Sequence, residues 1–132
     1  MKRKLLILCA LVSIASAQSK QERFKAIHMI FVEGNNVGAE GLRDELEKGK
    51  SCFQLATNKS DADAVLEVKT DSAMTTGGLG VRDYVVSGNL TDKQGNLLWS
   101  RSMRGEDSPF SNGGKQNGKY LLKMLTREAC KK

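Results

Sequence analysis

The sequence is poor in the residues on which most catalytic and metal sites depend. Its 132 residues include one histidine, one proline, one tryptophan and three cysteines. Metal sites and acid–base or nucleophilic triads usually need a histidine with partners, and His28 stands alone in an apolar stretch. The chain also lacks the Gly-x-Ser-x-Gly motif of serine hydrolases and the Cys-x-x-Cys motif of thiol–disulfide enzymes. These absences weigh against an enzyme, and we expect no cofactor and no metal.

Aromatic residues make up only 5% of the chain, so the core must be built mainly from Val, Leu, Ile and Met. No proline-rich linker, internal repeat or low-complexity block divides the sequence. Beyond the N-terminal segment, no apolar run reaches the length of about 20 residues that a membrane-spanning helix needs. Residues 18–132 have the size of one domain with a single core.

The N-terminus has the three parts of a secretory signal peptide. Basic residues at 2–4 are followed by an apolar run over 5–14 and by Ala-Ser-Ala at 15–17. A basic start, a short apolar core and a small-x-small exit are typical of such peptides. We therefore predict a signal peptide over 1–17, cleaved after Ala17, and a mature protein in the periplasm or outside the cell.

Removal of that segment makes the protein much less basic. Loss of Lys2, Arg3 and Lys4 lowers the formal net charge from +6 to +3. So small an excess does not require a nucleic-acid partner, and we expect none. A protein or another component of the cell envelope is the expected partner, and an acidic surface is one candidate.

Cys9 is removed with the same segment, since it lies inside the apolar run and not at the cleavage point of a lipoprotein signal. Cys52 and Cys130 remain, and an even pair in an exported chain predicts a disulfide. In the chain-entropy model, a bridge across so long a loop stabilises the fold by roughly 4–5 kcal/mol. Two buried free thiols are the alternative.

Hydrophobic periodicity predicts five strands and two helices. Residues 24–33 are apolar on both sides and indicate a buried strand, while residues 38–48 indicate a helix with Leu42 and Leu46 facing inward. A last helix is predicted over 115–130. The remaining predicted strands cover 52–57, 64–70, 83–90 and 97–104, with a Gly-rich connection over 71–82 and an irregular loop over 105–114.

The resulting order, β-α-β-β-β-β-α, predicts an α+β fold: a single, mostly antiparallel sheet with two helices on one face. The last three strands follow one another through short links, which favours antiparallel pairing. If both helices cover the same face, a bridge between Cys52 and Cys130 would fasten the last helix to the rim of the sheet.

Three surfaces are candidates for binding. The Gly-rich connection contains Gly77, Gly78 and Gly80, which suit a recognition loop on a rigid sheet or a merely mobile loop. The 105–114 loop is the second. The last helix carries a basic band that repeats every four residues, formed by Lys115, Lys119, Lys123 and Arg127. Such a band suits an acidic partner or anionic headgroups, and a solvated face that offsets the helix dipole is the plainer interpretation.

Two other function classes remain open. Asp61, Asp63, Glu106 and Asp107 lie in turn or loop contexts, and paired carboxylates can catalyse hydrolysis, so a small exported hydrolase is one alternative. An inhibitor of a secreted enzyme, with residues 75–80 inserted into a cleft, is the other. No carboxylate pair is singled out, so no catalytic residue is assigned.

A final pattern resembles small bacterial cell-envelope domains. The segment Ala-Asp-Ala-Val-Leu at 62–66 runs into a strand, and Leu-Thr-Asp at 90–92 is followed by Gly-Asn-Leu-Leu-Trp at 95–99. This is similar to the curli-secretion protein CsgG, the N-terminal domain of TolB and the lipoprotein activators of penicillin-binding proteins. The resemblance implies a non-enzymatic envelope domain that binds or assembles. It carries over no functional residue, because the matched residues are structural.

Overall fold

Five strands form one sheet, and two long helices cover one of its faces. The computed structural model describes residues 19–74, 82–107 and 113–130. Its helices are α1 (Lys20–Lys25), α2 (Val37–Glu47) and α3 (Gly113–Ala129), and its strands are β1 (Met29–Glu33), β2 (Gln54–Leu55), β3 (Ala64–Met74), β4 (Arg82–Asp92) and β5 (Leu97–Asp107). The strand order is β2-β1-β3-β4-β5. The predicted α+β fold is confirmed.

The sheet is mixed, and its antiparallel part carries the long ladders. The predicted antiparallel pairing of the last three strands is confirmed, since β4 pairs antiparallel with both β3 and β5. By contrast, β1 is parallel to β2 and to β3. The β1–β2 pairing is parallel because the chain returns through α2 to the same end of the sheet before β2 begins.

The prediction of a single strand over residues 24–33 is wrong for its first part. The Ser19 side chain accepts a hydrogen bond from the Glu22 N–H at 3.2 Å and caps the start of α1. Phe24 packs against the core from this helix, and the strand begins only at Met29. Tertiary packing therefore decides the element to which Phe24 belongs, whereas its apolar character alone had assigned it to the strand.

The predicted connections before β4 and after β5 are too long. β3 runs to Met74 and β4 starts at Arg82, so much of the predicted 71–82 connection is paired strand. β5 likewise continues to Asp107, into the predicted 105–114 loop. An antiparallel ladder continues through polar residues when one face meets water. The predicted strand over 52–57 is shorter, because only Gln54–Leu55 pairs.

The core lies between the sheet and the pair α2 and α3. Ile30 and Val32 on β1 are buried and alternate with half-buried neighbours, as expected for a strand covered on one face. The helices contribute their predicted apolar stripes, which are buried at Leu42, Leu46, Leu121, Leu122 and Leu125. The opposite face of the sheet carries no long helix among the described residues.

Candidate functional site

The two long helices touch through glycines. A Cβ at Gly118 of α3 would lie 2.0 Å from the Gly38 carbonyl oxygen of α2, and a Cβ at Gly41 would lie 2.1 Å from the Lys115 carbonyl oxygen. Any larger residue at these positions would push the helix backbones apart. The close approach brings the acidic side of α2 against the basic band of α3.

Half of the predicted basic band is therefore engaged within the molecule. Lys115 Nζ lies 2.8 Å from Asp44 Oδ2 and 3.2 Å from Glu40 Oε1. The hydrogen bond that Lys115 donates to Asp44, followed by the one it donates to Glu40, raises the pKa of Lys115, and Lys115 in turn lowers the pKa of Asp44. Lys119 is half-buried beside the same carboxylate. The N-terminal half of the band thus holds the helices together.

The other half of the band borders a groove between the C-terminal ends of the helices. Lys123 and Arg127 are exposed there, and Lys123 Nζ lies 5.4 Å from the centre of the Tyr120 ring. The groove has a volume of about 280 Å³ and is lined by Glu45, Lys50, Ser51, Leu122, Lys123, Thr126 and Arg127. Ser51 Oγ and Thr126 Oγ1 share a hydrogen bond of 2.9 Å across it. Cations on an apolar trough suit an anionic group with an apolar body.

The predicted disulfide is present and closes the end of this groove. Cys52 and Cys130 are bonded, with their Cα atoms 5.9 Å apart. Cys52 follows Ser51 directly, and Cys130 lies one helical turn after Thr126, to whose carbonyl it donates its N–H at 2.8 Å. The bridge therefore holds the two walls of the groove at a constant separation.

The predicted Gly-rich surface cannot be placed. Gly77, Gly78 and Gly80 lie outside the described residues, as do the central residues of the predicted 105–114 loop. The flanking strands are described and pair up to Met74 with Arg82. A recognition role for these glycines stays a prediction.

Of the carboxylates considered for hydrolysis, Asp63 binds backbone groups and Asp61 a neighbouring side chain. Asp63 Oδ2 accepts the N–H groups of His28 and Met29, each at 2.9 Å. The bond from Met29, followed by that from His28, lowers the pKa of Asp63. Asp61 accepts a long bond of 3.4 Å from the Asn58 amide. The side chains of Glu106 and Asp107 lie outside the described residues.

Sequence reasoning missed a second groove, which lies where β5 begins. Glu128 of α3 accepts a hydrogen bond from Trp99 Nε1 and lies 3.0 Å from Arg101 Nη2. The groove, of about 520 Å³, is lined by Lys20, Gln21, Phe24, Lys25, Leu97, Leu98, Trp99, Ser100, Arg101 and Glu128. The one indication of this groove in the sequence is Glu128 itself, an acidic residue near the end of an otherwise basic helix.

The face of the sheet turned away from α2 and α3 is polar on its outer strands. Ser87 Oγ lies 3.1 Å from Ser102 Oγ, and Ser100 donates to Asn89 at 2.6 Å. β5 is the last strand at one edge of the sheet, and β4 is its only partner among the described strands. Eleven residues of backbone therefore present one unpaired edge.

No three or more His, Cys, Asp or Glu side chains within 19–74, 82–107 and 113–130 are grouped so that they could hold a metal ion. Within the same ranges, none of the helices combines the length and the apolarity needed to span a bilayer.

Several solved bacterial proteins share this fold, although no protein-family model and no curated protein sequence matches the chain. PelC of Paraburkholderia phytofirmans, solved as a dodecamer, is similar with a TM-score of 0.56 and 16% identity over 82% of this chain and 91% of that chain. A minor lipoprotein of Acinetobacter baumannii is similar with a TM-score of 0.50 and 19% identity over 78% of this chain and 90% of that chain. At these identities the likeness concerns the fold alone. It supports the α+β fold, while the three groups named from the sequence are not shown by it.

Proposed function

We propose that this protein is an exported, non-enzymatic domain of the bacterial cell envelope that acts by assembling with further copies of itself. The observation that carries this proposal is the outer edge of β5, which no described strand pairs, beside a polar sheet face that no long helix of the described residues covers. The assembling surface is the edge strand and not a catalytic cleft.

The two edges of the sheet differ in a way that supports assembly. Natural proteins protect sheet edges by keeping edge strands very short or by covering them. The edge strand β2 is only two residues long, whereas β5 is eleven residues long. α1 and the first half of β5, over Leu97–Arg101, line the same groove. The rest of the strand offers backbone groups for pairing with another chain.

The similar proteins and the sequence support the location. PelC is described as a dodecamer and the Acinetobacter baumannii protein as a lipoprotein, and we extend assembly and envelope location to this chain as part of the proposal. The signal-peptide pattern of residues 1–17 and the Cys52–Cys130 disulfide fit export to an oxidising compartment.

Sedimentation velocity of the purified protein tests the proposal, because an assembly must appear as a species larger than the monomer. Adjacent residues of a strand direct their N–H groups to opposite edges, so Ser102→Pro and Met103→Pro form a matched pair. One of the two removes a donor from the free edge and should abolish the large species while circular dichroism remains unchanged. The other removes a donor from the β4–β5 ladder and should lower the stability of the fold.

A protein that sediments as a monomer at all concentrations contradicts the proposal. So does a large species that survives both proline variants in folded form, because the edge of β5 would then play no part in it.

A further inference from the structure

The charges of this protein are distributed unevenly between the two ends of its sheet. β1, β2, β3 and β5 all begin at one end, where β4 finishes. α1 precedes β1 there, and α2 and α3 both finish there, as the Glu128 bond to Trp99 and the disulfide require. We call this the basic end, and its cations without an ion pair among the described residues are Lys20, Arg23, Lys25, Lys50, Lys93, Lys123 and Arg127.

Most carboxylates at the basic end are already engaged. Asp63 and Asp92 accept backbone N–H groups. Glu45 lies 2.9 Å from Lys48, and Glu128 lies 3.0 Å from Arg101. Glu22, Glu47 and Asp61 remain without an ion pair in the described part of the chain.

Three cations away from the basic end have carboxylate partners. Lys69 lies 3.0 Å from Glu67, and Arg104 lies 2.7 Å from Asp83. Lys115 bridges Glu40 and Asp44. Arg43 is engaged differently, since it donates to the Val32 and Gly34 carbonyl oxygens. Among the described side chains, most cations without an ion pair therefore lie on one surface.

Helix dipoles do not account for this concentration. Two helix C-termini at the basic end carry partial negative charge, which Lys123 and Arg127 partly offset. Lys20, Lys25 and Lys93 lie on α1 and on the turn between β4 and β5, where neither long helix ends. Their charges are available to an external anion.

The groove between α2 and α3 opens on the same surface. Lys50, Lys123 and Arg127 line it together with Leu122 and Glu45, and the Glu45 carboxylate is paired with Lys48 at 2.9 Å. This combination suits a phosphate attached to an apolar chain, because the cations contact the phosphate and the trough accepts the first methylenes. The apolar N-terminal segment also joins the domain here, since the described chain starts at Ser19, directly before α1.

From these observations we infer that the basic end docks on an anionic phospholipid bilayer, with a headgroup phosphate in the groove formed by Lys50, Lys123 and Arg127. The N-terminal segment joins the domain at the same end. Export across a membrane would therefore leave the basic end facing that membrane. If residues 1–17 are cleaved, the new α-amino group adds a further positive charge to this end. The inference rests on the envelope location in the proposed function and does not depend on assembly.

Co-sedimentation with vesicles tests the inference, using protein expressed from the full-length chain and purified after export. The protein should bind vesicles that contain phosphatidylglycerol, should not bind phosphatidylcholine alone, and should be released by salt. Replacing Lys50, Lys123 and Arg127 by serine should weaken binding on the order of 100-fold. The matched control replaces Lys69, Arg104 and Lys115 by serine, which changes the net charge equally and should alter binding less than about threefold.

Three results would overturn the inference: no binding to phosphatidylglycerol vesicles, equal losses in the two triple variants, or full binding by the groove variant while it remains folded. Displacement by glycerol phosphate at a concentration no higher than that of the vesicle phosphate would also overturn it, since a soluble anion would then bind as tightly as the bilayer. Sedimentation of the same samples separates the two proposals, because a monomer that binds these vesicles contradicts assembly but not docking.

Discussion

At the scale of single residues, this protein uses small and polar side chains for close fitting. Asp63 holds the start of β1 through two backbone bonds, and Gly118 lets α3 touch α2. Neither role could be assigned from the sequence. Asp63 stood among several loop carboxylates, and Gly118 was not singled out, because both roles depend on partners more than 30 residues away.

Asp63→Asn should lower the stability of the protein most at neutral pH. The pKa of Asp63 is lowered by the N–H groups of Met29 and His28, so its ionised form stabilises the folded state. That stabilisation is complete above about pH 4 and is lost as the pH falls through the lowered pKa. We expect a loss of about 1 kcal/mol at neutral pH. Thermal unfolding across this range measures it, and a difference independent of pH would contradict it.

Gly118→Ala should separate the two long helices. The added Cβ would lie 2.0 Å from the Gly38 carbonyl oxygen, which is backbone and cannot rotate away. We expect a loss of about 2 kcal/mol in the free energy of unfolding, measured by urea denaturation. Gln116→Ala is the control, because Gln116 is exposed on the same helix and alanine favours helix there. Equal stability of Gly118→Ala and the native protein would mean that the helices do not touch at this point.

At the scale of elements, patterns with strong periodicity were predicted well and those decided by neighbours were not. α2 and α3 fall within two residues of their predicted bounds, because their apolar stripes recur at helical spacing. The prediction of one strand over 24–33 was wrong, since this apolar stretch contains the end of a short capped helix and a short strand. The long hairpins of β3, β4 and β5 were underestimated because polar residues continue a ladder once neighbouring strands supply the bonds.

The disulfide links two of these elements, and its removal should have a large effect. Cys52 and Cys130 are separated by 78 positions in the chain, so the bridge removes much entropy from the unfolded state. Cys52→Ser together with Cys130→Ser should lower the free energy of unfolding by roughly 4 kcal/mol, measured by urea denaturation. Reduction of the native protein should produce the same loss. A reduced protein as stable as the oxidised one would contradict this expectation.

At the scale of the whole molecule, the two long helices cover one face of the sheet, and one edge of the sheet has no described partner strand. The core is closed by α2 and α3, whereas the outer edge of β5 has no partner strand among the described residues. The free cations lie together at the basic end. Assembly through one surface and docking through another are compatible, because the edge of β5 and the groove between the helices are different surfaces.

Assembly should make the melting temperature depend on protein concentration. Mass action stabilises any folded state that binds further copies of itself. We expect the native protein to melt several degrees higher when its concentration is raised about 100-fold, measured by differential scanning calorimetry. The edge-specific proline variant should lose this dependence. A melting temperature that stays constant in the native protein would argue against the proposed assembly.

The sequence by itself determined the class of the fold, the disulfide pairing and the positions of the long helices, because apolar periodicity and an even cysteine count are local or elementary signals. It also pointed to the basic band of α3. Only the tertiary structure decided that Lys115 is paired with α2 while Lys123 and Arg127 border a groove. The physical reason is that the partners of a charged side chain lie on other elements, and α2, α3 and β5 are brought together only by the folded core.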